Sequence, residues 1–146
     1  MSEDIILLVE DNKNDEKLTL RALKNASIMN EIVVTRDGEE ALEYLFGTGK
    51  FADQPHHNLP VLILLDIKLP KVSGLEVLQA IRSNEKTKLL SVVMLTSSRQ
   101  EQDVIESYNL GANSYVVKPV DFTQFNESIK QLGLYWLLLN ERPPLG

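Results

Sequence analysis

Residues 5–11 read IILLVED, so five apolar residues run without interruption and end on two acids, Glu10 and Asp11. Continuous rather than alternating apolarity is typical of a strand that is buried on both faces, as in a parallel sheet. When such a strand leads into a phosphate-binding helix, the turn usually carries glycines, whose backbone N–H groups surround the anion. Acids at this place would repel a phosphate. The segment therefore predicts a buried strand whose end serves a different chemistry.

Further short apolar runs follow along the chain, at residues 32–35, 61–65, 92–95 and 115–117. Helical patterns lie between them, at about residues 18–26, 39–46, 75–81 and 103–110, and a last one follows the predicted N-cap Asp121. Five strands that alternate with five helices predict a doubly wound (βα)5 sandwich of the α/β class, with right-handed crossovers. The longest connection, residues 47–60, is predicted to be a surface loop.

Length and composition narrow the class of protein. A chain of 146 residues fits one domain with a real core. The absence of cysteine excludes disulfides, thiolate metal sites and cysteine nucleophiles. A net charge of −6, with scattered Lys and Arg, argues against a nucleic-acid partner. No signal peptide and no apolar run of the ~20 residues that a membrane span needs is visible, so we expect a cytoplasmic protein without a membrane partner.

Polar side chains follow four of the apolar runs at the point where each run ends. They are Glu10 and Asp11 after the first run, Asp66 after the third, Thr96 after the fourth and Lys118 after the fifth. In an open parallel sheet, functional groups gather just beyond the carboxyl ends of the strands. Three carboxylates, one hydroxyl and one amine are therefore predicted to converge on one edge of the sheet.

The chemistry of this group points to a metal. Three carboxylates packed together cannot all stay ionised without a counter-charge, because like charges raise one another's pKa. Mg²⁺ takes oxygen ligands and is typically held by one or two carboxylates plus phosphate oxygens. We therefore predict that Glu10 and Asp11 hold Mg²⁺, which lets a phosphate approach. Asp66 is then a candidate nucleophile, with Lys118 and Thr96 placed to neutralise and hydrogen-bond phosphoryl oxygens.

Four segments of the chain carry a family resemblance: LLVEDN, LILLDIKLPKVSGLEVL, VVMLTSS and GANSYVVKPVD. They resemble the marker segments of the response-regulator receiver domains of two-component signalling, and the likeness covers nearly the whole chain. It implies a flavodoxin-like, five-stranded parallel sheet of strand order 2-1-3-4-5. It also implies a stand-alone response regulator that takes a phosphoryl group from a phosphohistidine and switches its protein–protein contacts. Such a protein catalyses only its own phosphorylation and dephosphorylation.

The resemblance assigns a role to each site residue. The implied roles are phosphoacceptor for Asp66, phosphate-pairing amine for Lys118, switch hydroxyl for Thr96 and switch aromatic for Tyr115. The implied protein ligands of Mg²⁺ are Glu10, Asp11, Asp66 and the backbone carbonyl of Lys68. The Lys118–Pro119 peptide bond would be cis, which fits the rule that cis peptides occur at proline.

A narrower resemblance concerns YLFGTGKF, the loop that follows it, and the tail LGLYWLLLNERPP. These segments look like the stand-alone regulators that are paired with cyanobacterial phytochromes and related bacterial kinases. The implied partner is a sensor histidine kinase or phosphotransfer protein, with a phytochrome-like kinase as the candidate. Residues 1–146 would form a single receiver domain with a C-terminal extension at 134–146. The helix end around Trp136 is apolar nearly all round, which favours a homodimer over a tail that folds back on its own domain.

Three alternatives compete with this interpretation. A phosphatase of the haloacid-dehalogenase type also uses an aspartate after a buried strand, but it carries a second acid two residues later, where this chain has Lys68. A flavin- or nucleotide-binding module needs a glycine- or hydroxyl-rich phosphate turn, and VEDNKND is the opposite. The third alternative is a receiver-like scaffold that works without phosphate.

Overall fold

A computed structural model describes residues 4–53, 59–118 and 122–133 of the chain. Within these residues, strands and helices alternate as the sequence predicts. The elements are β1 Ile5–Val9, α1 Lys13–Asn25, β2 Glu31–Thr35, α2 Gly38–Phe46, β3 Leu62–Leu65, α3 Gly74–Ser83, β4 Val92–Thr96, α4 Glu101–Asn109, β5 Ser114–Val117 and α5 Phe122–Gly133. The predicted (βα)5 architecture is confirmed.

The strands form one parallel sheet of order β2-β1-β3-β4-β5, which confirms the expected 2-1-3-4-5 order. The register aligns the strand ends, because Val9 lies beside Leu65 and Leu65 beside Met94. The residues that follow each strand therefore leave the sheet at the same edge. This alignment places the acids after β1 and β3 next to each other.

Apolar side chains cover both faces of the sheet, which explains the uninterrupted apolar runs. Successive residues of a strand point to opposite faces. On β1, Ile6 and Leu8 belong to the core cluster that includes residues of α1 and α5, whereas Leu7 and Val9 belong to the cluster that includes residues of α2 and α3. All four of these side chains are buried. The core therefore fixes β1 on both sides and gives a rigid base to the loop that follows it.

Some element bounds differ from the prediction for physical reasons. Helix α1 begins at Lys13, well before the predicted apolar pattern, because the side chain of Asn12 caps it. Helix α4 begins at Glu101, two residues early, and its N-cap Gln100 makes no side-chain capping hydrogen bond that the sequence could signal. The predicted surface loop at residues 47–60 contains a short 3-10 turn, Gly49–Phe51.

Several predictions concern residues outside the described ranges: the N-cap Asp121, the cis bond to Pro119 and the extension at 134–146. Within the described part of α5, Ile129 is fully buried. None of the helices in the described part of the chain combines the length and apolarity that a membrane crossing requires.

Candidate functional site

Three carboxylates meet at the carboxyl edge of the sheet. One oxygen from each of Glu10, Asp11 and Asp66 lies within 4.8 Å of the others. Glu10 and Asp66 are buried, whereas Asp11 is exposed. The sheet ladder continues into this turn, because the N–H of Glu10 donates to the carbonyl of Thr35 at 3.0 Å and the N–H of Asp66 donates to that of Val9 at 3.2 Å. The backbone of both buried acids is therefore held by hydrogen bonds to neighbouring strands.

Lys118 joins this group from the end of β5. Its Nζ donates to Glu10 Oε1, to Asp66 Oδ2 at 3.1 Å and to Asp15 Oδ2 at 3.0 Å. Its own N–H donates to the carbonyl of Thr96 at 2.7 Å, which fixes the lysine against the end of β4. The Lys118 side chain is only 7 % exposed, so these contacts are largely shielded from water. The predicted convergence of Glu10, Asp11, Asp66 and Lys118 is present in the structure.

The pKa values of Glu10 and Lys118 reflect their burial and their contact with each other. Burial raises the pKa of Glu10 from 4.5 to about 7, although its hydrogen bond with Lys118 acts in the opposite direction. Burial alone would lower the pKa of Lys118, but the carboxylates of Asp66 and Glu10 outweigh it and raise that pKa above its usual range. The ammonium of Lys118 therefore stays charged at neutral pH, whereas Glu10 ionises less readily than an exposed glutamate.

The donor set fits a hard divalent cation. Three carboxylate oxygens within 4.8 Å of one another match the oxygen ligands that Mg²⁺ and related cations take in proteins. Lys68, whose backbone carbonyl is a predicted ligand, is exposed two residues after Asp66. That ligand stays a prediction.

The loop after β3 orients Asp66. Its Oδ1 accepts the N–H of Ile67 at 2.7 Å, which leaves Oδ2 for the lysine. The N–H of Gly74, the first residue of α3, donates to the carbonyl of Ile67 at 2.7 Å. A Cβ on Gly74 would lie only 1.9 Å from the backbone oxygen of Asp66. Helix α3 therefore packs directly against the backbone of the candidate nucleophile, and the absence of a side chain at residue 74 permits this approach.

Thr96 and Tyr115 are linked through Ser98 in the loop after β4. The N–H of Ser98 donates to Thr96 Oγ1 at 3.3 Å, and the Tyr115 hydroxyl donates to the carbonyl of Ser98 at 2.9 Å. The Ser98 hydroxyl in turn donates to Asp103 Oδ2 of α4 at 2.6 Å. Burial raises the pKa of the Tyr115 hydroxyl, so it remains a donor at neutral pH. The loop thus connects the buried threonine to the start of α4.

Two features of the site escaped the sequence analysis. Asp15 contacts Lys118, and its signal was an acid in the first turn of the helix that follows β1. Acids are common there because they stabilise helix N-termini, so the pattern alone does not distinguish the two roles. The bond between Ser98 and Asp103 joins residues five apart across a loop, and no sequence motif signals it.

Comparison with known proteins identifies the family. The response regulator receiver domain profile matches residues 6–130, which include nearly all of β1 and most of α5. The chain belongs to the response regulator receiver domain family. Receiver domains are signalling modules, and this membership agrees with the flavodoxin-like sheet and with the acids at its carboxyl edge.

Similar proteins include response regulators, one of them a cyanobacterial phytochrome response regulator. Response regulator Rcp1 from Synechocystis sp. is 40 % identical over 133 residues, which are 91 % of this chain and 88 % of that protein. The structure of the phosphorylated cyanobacterial phytochrome response regulator RcpA has 39 % identity and a TM-score of 0.90, covering 98 % of this chain and 100 % of that one. The Mn²⁺-bound form of Rcp1 has 38 % identity and a TM-score of 0.87, covering 97 % and 99 %.

Proposed function

We propose that this chain accepts a phosphoryl group on Asp66 from a phosphohistidine of a partner protein, in a Mg²⁺-dependent reaction. The observation that carries the proposal is the contact of the Asp66 carboxylate with the Lys118 ammonium at 3.1 Å, beside the carboxylates of Glu10 and Asp11. A buried carboxylate, a cation-binding group and a fixed ammonium are the parts that aspartyl-phosphate chemistry requires.

In the proposed transfer, a carboxylate oxygen of Asp66 attacks the phosphorus. A P–O bond forms, the P–N bond of the phosphohistidine breaks, and the imidazole leaves with the bonding electron pair, neutral when its other nitrogen carries a proton. The Lys118 ammonium donates to a phosphoryl oxygen, and the Thr96 hydroxyl donates to another. Hydrolysis of the acyl phosphate later restores Asp66. The chain thus catalyses only its own phosphorylation and dephosphorylation.

Glu10, Asp11 and Asp66, with the Lys68 carbonyl, are the residues that would hold Mg²⁺. A bound divalent cation supplies charge neutralisation between the carboxylates and the incoming phosphoryl oxygens. The oxygen-only donor set supports this assignment, and the similar regulator Rcp1 is known in a Mn²⁺-bound form.

The output of the proposed reaction is a change of surface around α4, β5 and α5. A phosphoryl group adds about −1.5 to −2 of charge, which draws the Thr96 hydroxyl toward it. The space that Thr96 leaves would let Tyr115, whose hydroxyl donates to the Ser98 carbonyl in this structure, turn inward. Because Ser98 is also bonded to Asp103, this shift reaches the first turn of α4.

The proposed phosphodonor is a sensor histidine kinase or phosphotransfer protein in the cytoplasm, where kinases use ATP. A phytochrome-like kinase is the candidate because the similar RcpA is a cyanobacterial phytochrome response regulator. We also propose a homodimer, since residues 134–139 read LYWLLL and one apolar stripe would suffice for docking on the sheet. Residues 1–146 are proposed to act as a single receiver domain.

The test is the intact mass of the protein after incubation with acetyl phosphate and Mg²⁺. We expect one phosphoryl adduct on the wild type, no adduct on Asp66→Asn, and no adduct when a chelator is present. The matched control is Asp53→Asn, which makes the same chemical change at an exposed residue and should keep the adduct. Light scattering on the same samples measures the association state.

Absence of an adduct on the wild type with every small-molecule and phosphohistidine donor would contradict the proposal and favour the phosphate-independent scaffold. An adduct that persists in Asp66→Asn would show that another residue is the acceptor. A monomer in both states would remove the proposed homodimer and leave the phosphoryl chemistry unaffected.

A further inference from the structure

Lys118 is shared by three carboxylates rather than two. Its Nζ lies 3.0 Å from Asp15 Oδ2, as close as to Asp66 Oδ2 at 3.1 Å, and it also bonds to Glu10. An ammonium group has three N–H donors, so these three acceptors use all of them. The acids that cluster as a cation site are Glu10, Asp11 and Asp66. The partner of Asp15 in this site is therefore the lysine.

The start of α1 holds Asp15 in position. The side chain of Asn12 caps the helix by accepting the N–H of Asp15 at 3.0 Å, and the N–H of Asn12 donates to Glu10 Oε2 at 3.3 Å. Glu10, Asn12 and Asp15 are thereby linked by successive hydrogen bonds. The contact with Lys118 is thus part of an ordered helix start, unlike a surface ion pair between two long side chains.

The three acceptors differ in how easily they can release the lysine. The exposed fraction of the side chain is 34 % for Asp15, 11 % for Asp66 and 1 % for Glu10. A partly exposed carboxylate regains water when it loses its partner, whereas a buried one is left uncompensated. Asp15 is therefore the contact that Lys118 gives up at the lowest cost.

We propose that Asp15 is a positioning residue that holds Lys118 in the unphosphorylated protein and releases it when the phosphoryl group reaches Asp66. This inference rests on the proposed function. The charge of Asp15 has opposite effects on the two ligands of the site, because it attracts a cation and repels an anion. Asp15 thus strengthens Mg²⁺ binding and opposes phosphorylation.

The test compares Asp15→Asn with the wild type in three measurements. Calorimetry should show that Mg²⁺ binding weakens roughly three- to tenfold, as expected when a unit charge is removed near a partly exposed site. At saturating Mg²⁺, binding of beryllofluoride, a phosphoryl analogue, should instead tighten by a similar factor. In chelator, acylation of Lys118 measured by mass spectrometry should become faster, because the lysine has lost one of its three acceptors.

The matched control is Glu16→Gln, which removes the next acid on the same helix. Glu16 pairs with Arg36 at 3.0 Å, so this variant should change none of the three measurements beyond about twofold. General damage to the site would weaken both ligands, whereas loss of the Asp15 charge moves them in opposite directions, and the rate of Lys118 acylation reports whether Asp15 holds the lysine.

Two outcomes separate this inference from the proposed function. If the wild type binds beryllofluoride and is phosphorylated on Asp66 but Asp15→Asn behaves like the wild type, the role of Asp15 is refuted and the function stands. If the wild type shows no phosphoryl chemistry, the function fails, and unchanged acylation of Lys118 in Asp15→Asn then refutes the contact as well.

Discussion

Replacement of Gly74 by alanine tests whether the packing of α3 positions the phosphoacceptor. The added Cβ would lie 1.9 Å from the backbone oxygen of Asp66 and 2.8 Å from its carbonyl carbon. Both neighbours are backbone atoms, so a side-chain rotation cannot relieve the contact. To reach ordinary van der Waals distance, α3 or the loop after β3 must move by more than about 1 Å.

We expect Gly74→Ala to lower the free energy of unfolding, although helix propensity alone would raise it. Alanine in a helix is favoured over glycine by up to ~1 kcal/mol, so propensity alone predicts a more stable protein. Overpacking of a closely fitted contact typically costs about 1–3 kcal/mol. Because the atoms that face the added Cβ belong to the backbone, we expect a net loss of about 2 kcal/mol in the free energy of unfolding. Displacement of Asp66 should also weaken Mg²⁺ binding at least about tenfold.

Urea unfolding in chelator and calorimetric Mg²⁺ titration measure the two effects. Gly47→Ala is the matched control, because Gly47 has φ +65° but no atom within 4 Å of an added Cβ. It should lose about 1 kcal/mol through backbone strain and leave Mg²⁺ binding unchanged. If Gly74→Ala is as stable as the wild type and binds Mg²⁺ equally well, the packing of α3 does not position Asp66.

Further predictions concern the pH dependence of stability, the hydrogen bonds of Arg82 and the role of Tyr115. In chelator, the free energy of unfolding should fall as the pH rises from 4.5 to about 7, because folding raises the pKa of Glu10 and the folded protein binds this proton more tightly than the unfolded chain. The midpoint of urea unfolding, measured at a series of pH values, should show this fall in the wild type and not in Glu10→Gln. Arg82→Met should cost about 2–4 kcal/mol, measured by urea unfolding, since the guanidinium donates to the carbonyls of Lys88, Leu90 and Gly111 and to the side chain of Asn113. Restoration of full stability by Arg82→Lys would contradict this reasoning. Tyr115→Phe should lose about 0.5–1.5 kcal/mol with its bond to Ser98 but keep the phosphoryl adduct in intact mass, and loss of that adduct would place the tyrosine in the chemistry.

The strand-end residues were predictable from sequence because a parallel sheet converts order along the chain into position. An uninterrupted apolar run marks each central strand, and the residue after it must emerge at the carboxyl edge. This reasoning places Glu10 and Asp66 together without any knowledge of side-chain contacts. The register then confirms it, since Val9 and Leu65, which precede them, are paired.

Long-range polar contacts were not predictable in the same way. Asp15 and Lys118 are 103 residues apart, and Arg82 reaches Asn113 across 31 residues. Each contact depends on how far a helix start or end lies from a strand, which apolar periodicity does not determine. The close approach of Gly74 to Asp66 was not predictable either. A glycine at a helix start is equally common in a tight turn or at a helix cap that makes no close contact.

Lys118 and Glu10 differ in how they would respond to a cation and to a phosphoryl group. Lys118 is held protonated by the acids around it, so its charge is constant at neutral pH and only its partner can change. Burial raises the pKa of Glu10 to about 7, so a divalent ion held by this carboxylate would favour its ionised form and would release protons on binding. In the proposed reaction, a cation would act mainly on Glu10, whereas the phosphoryl group would act on Lys118 by replacing one of its carboxylate partners.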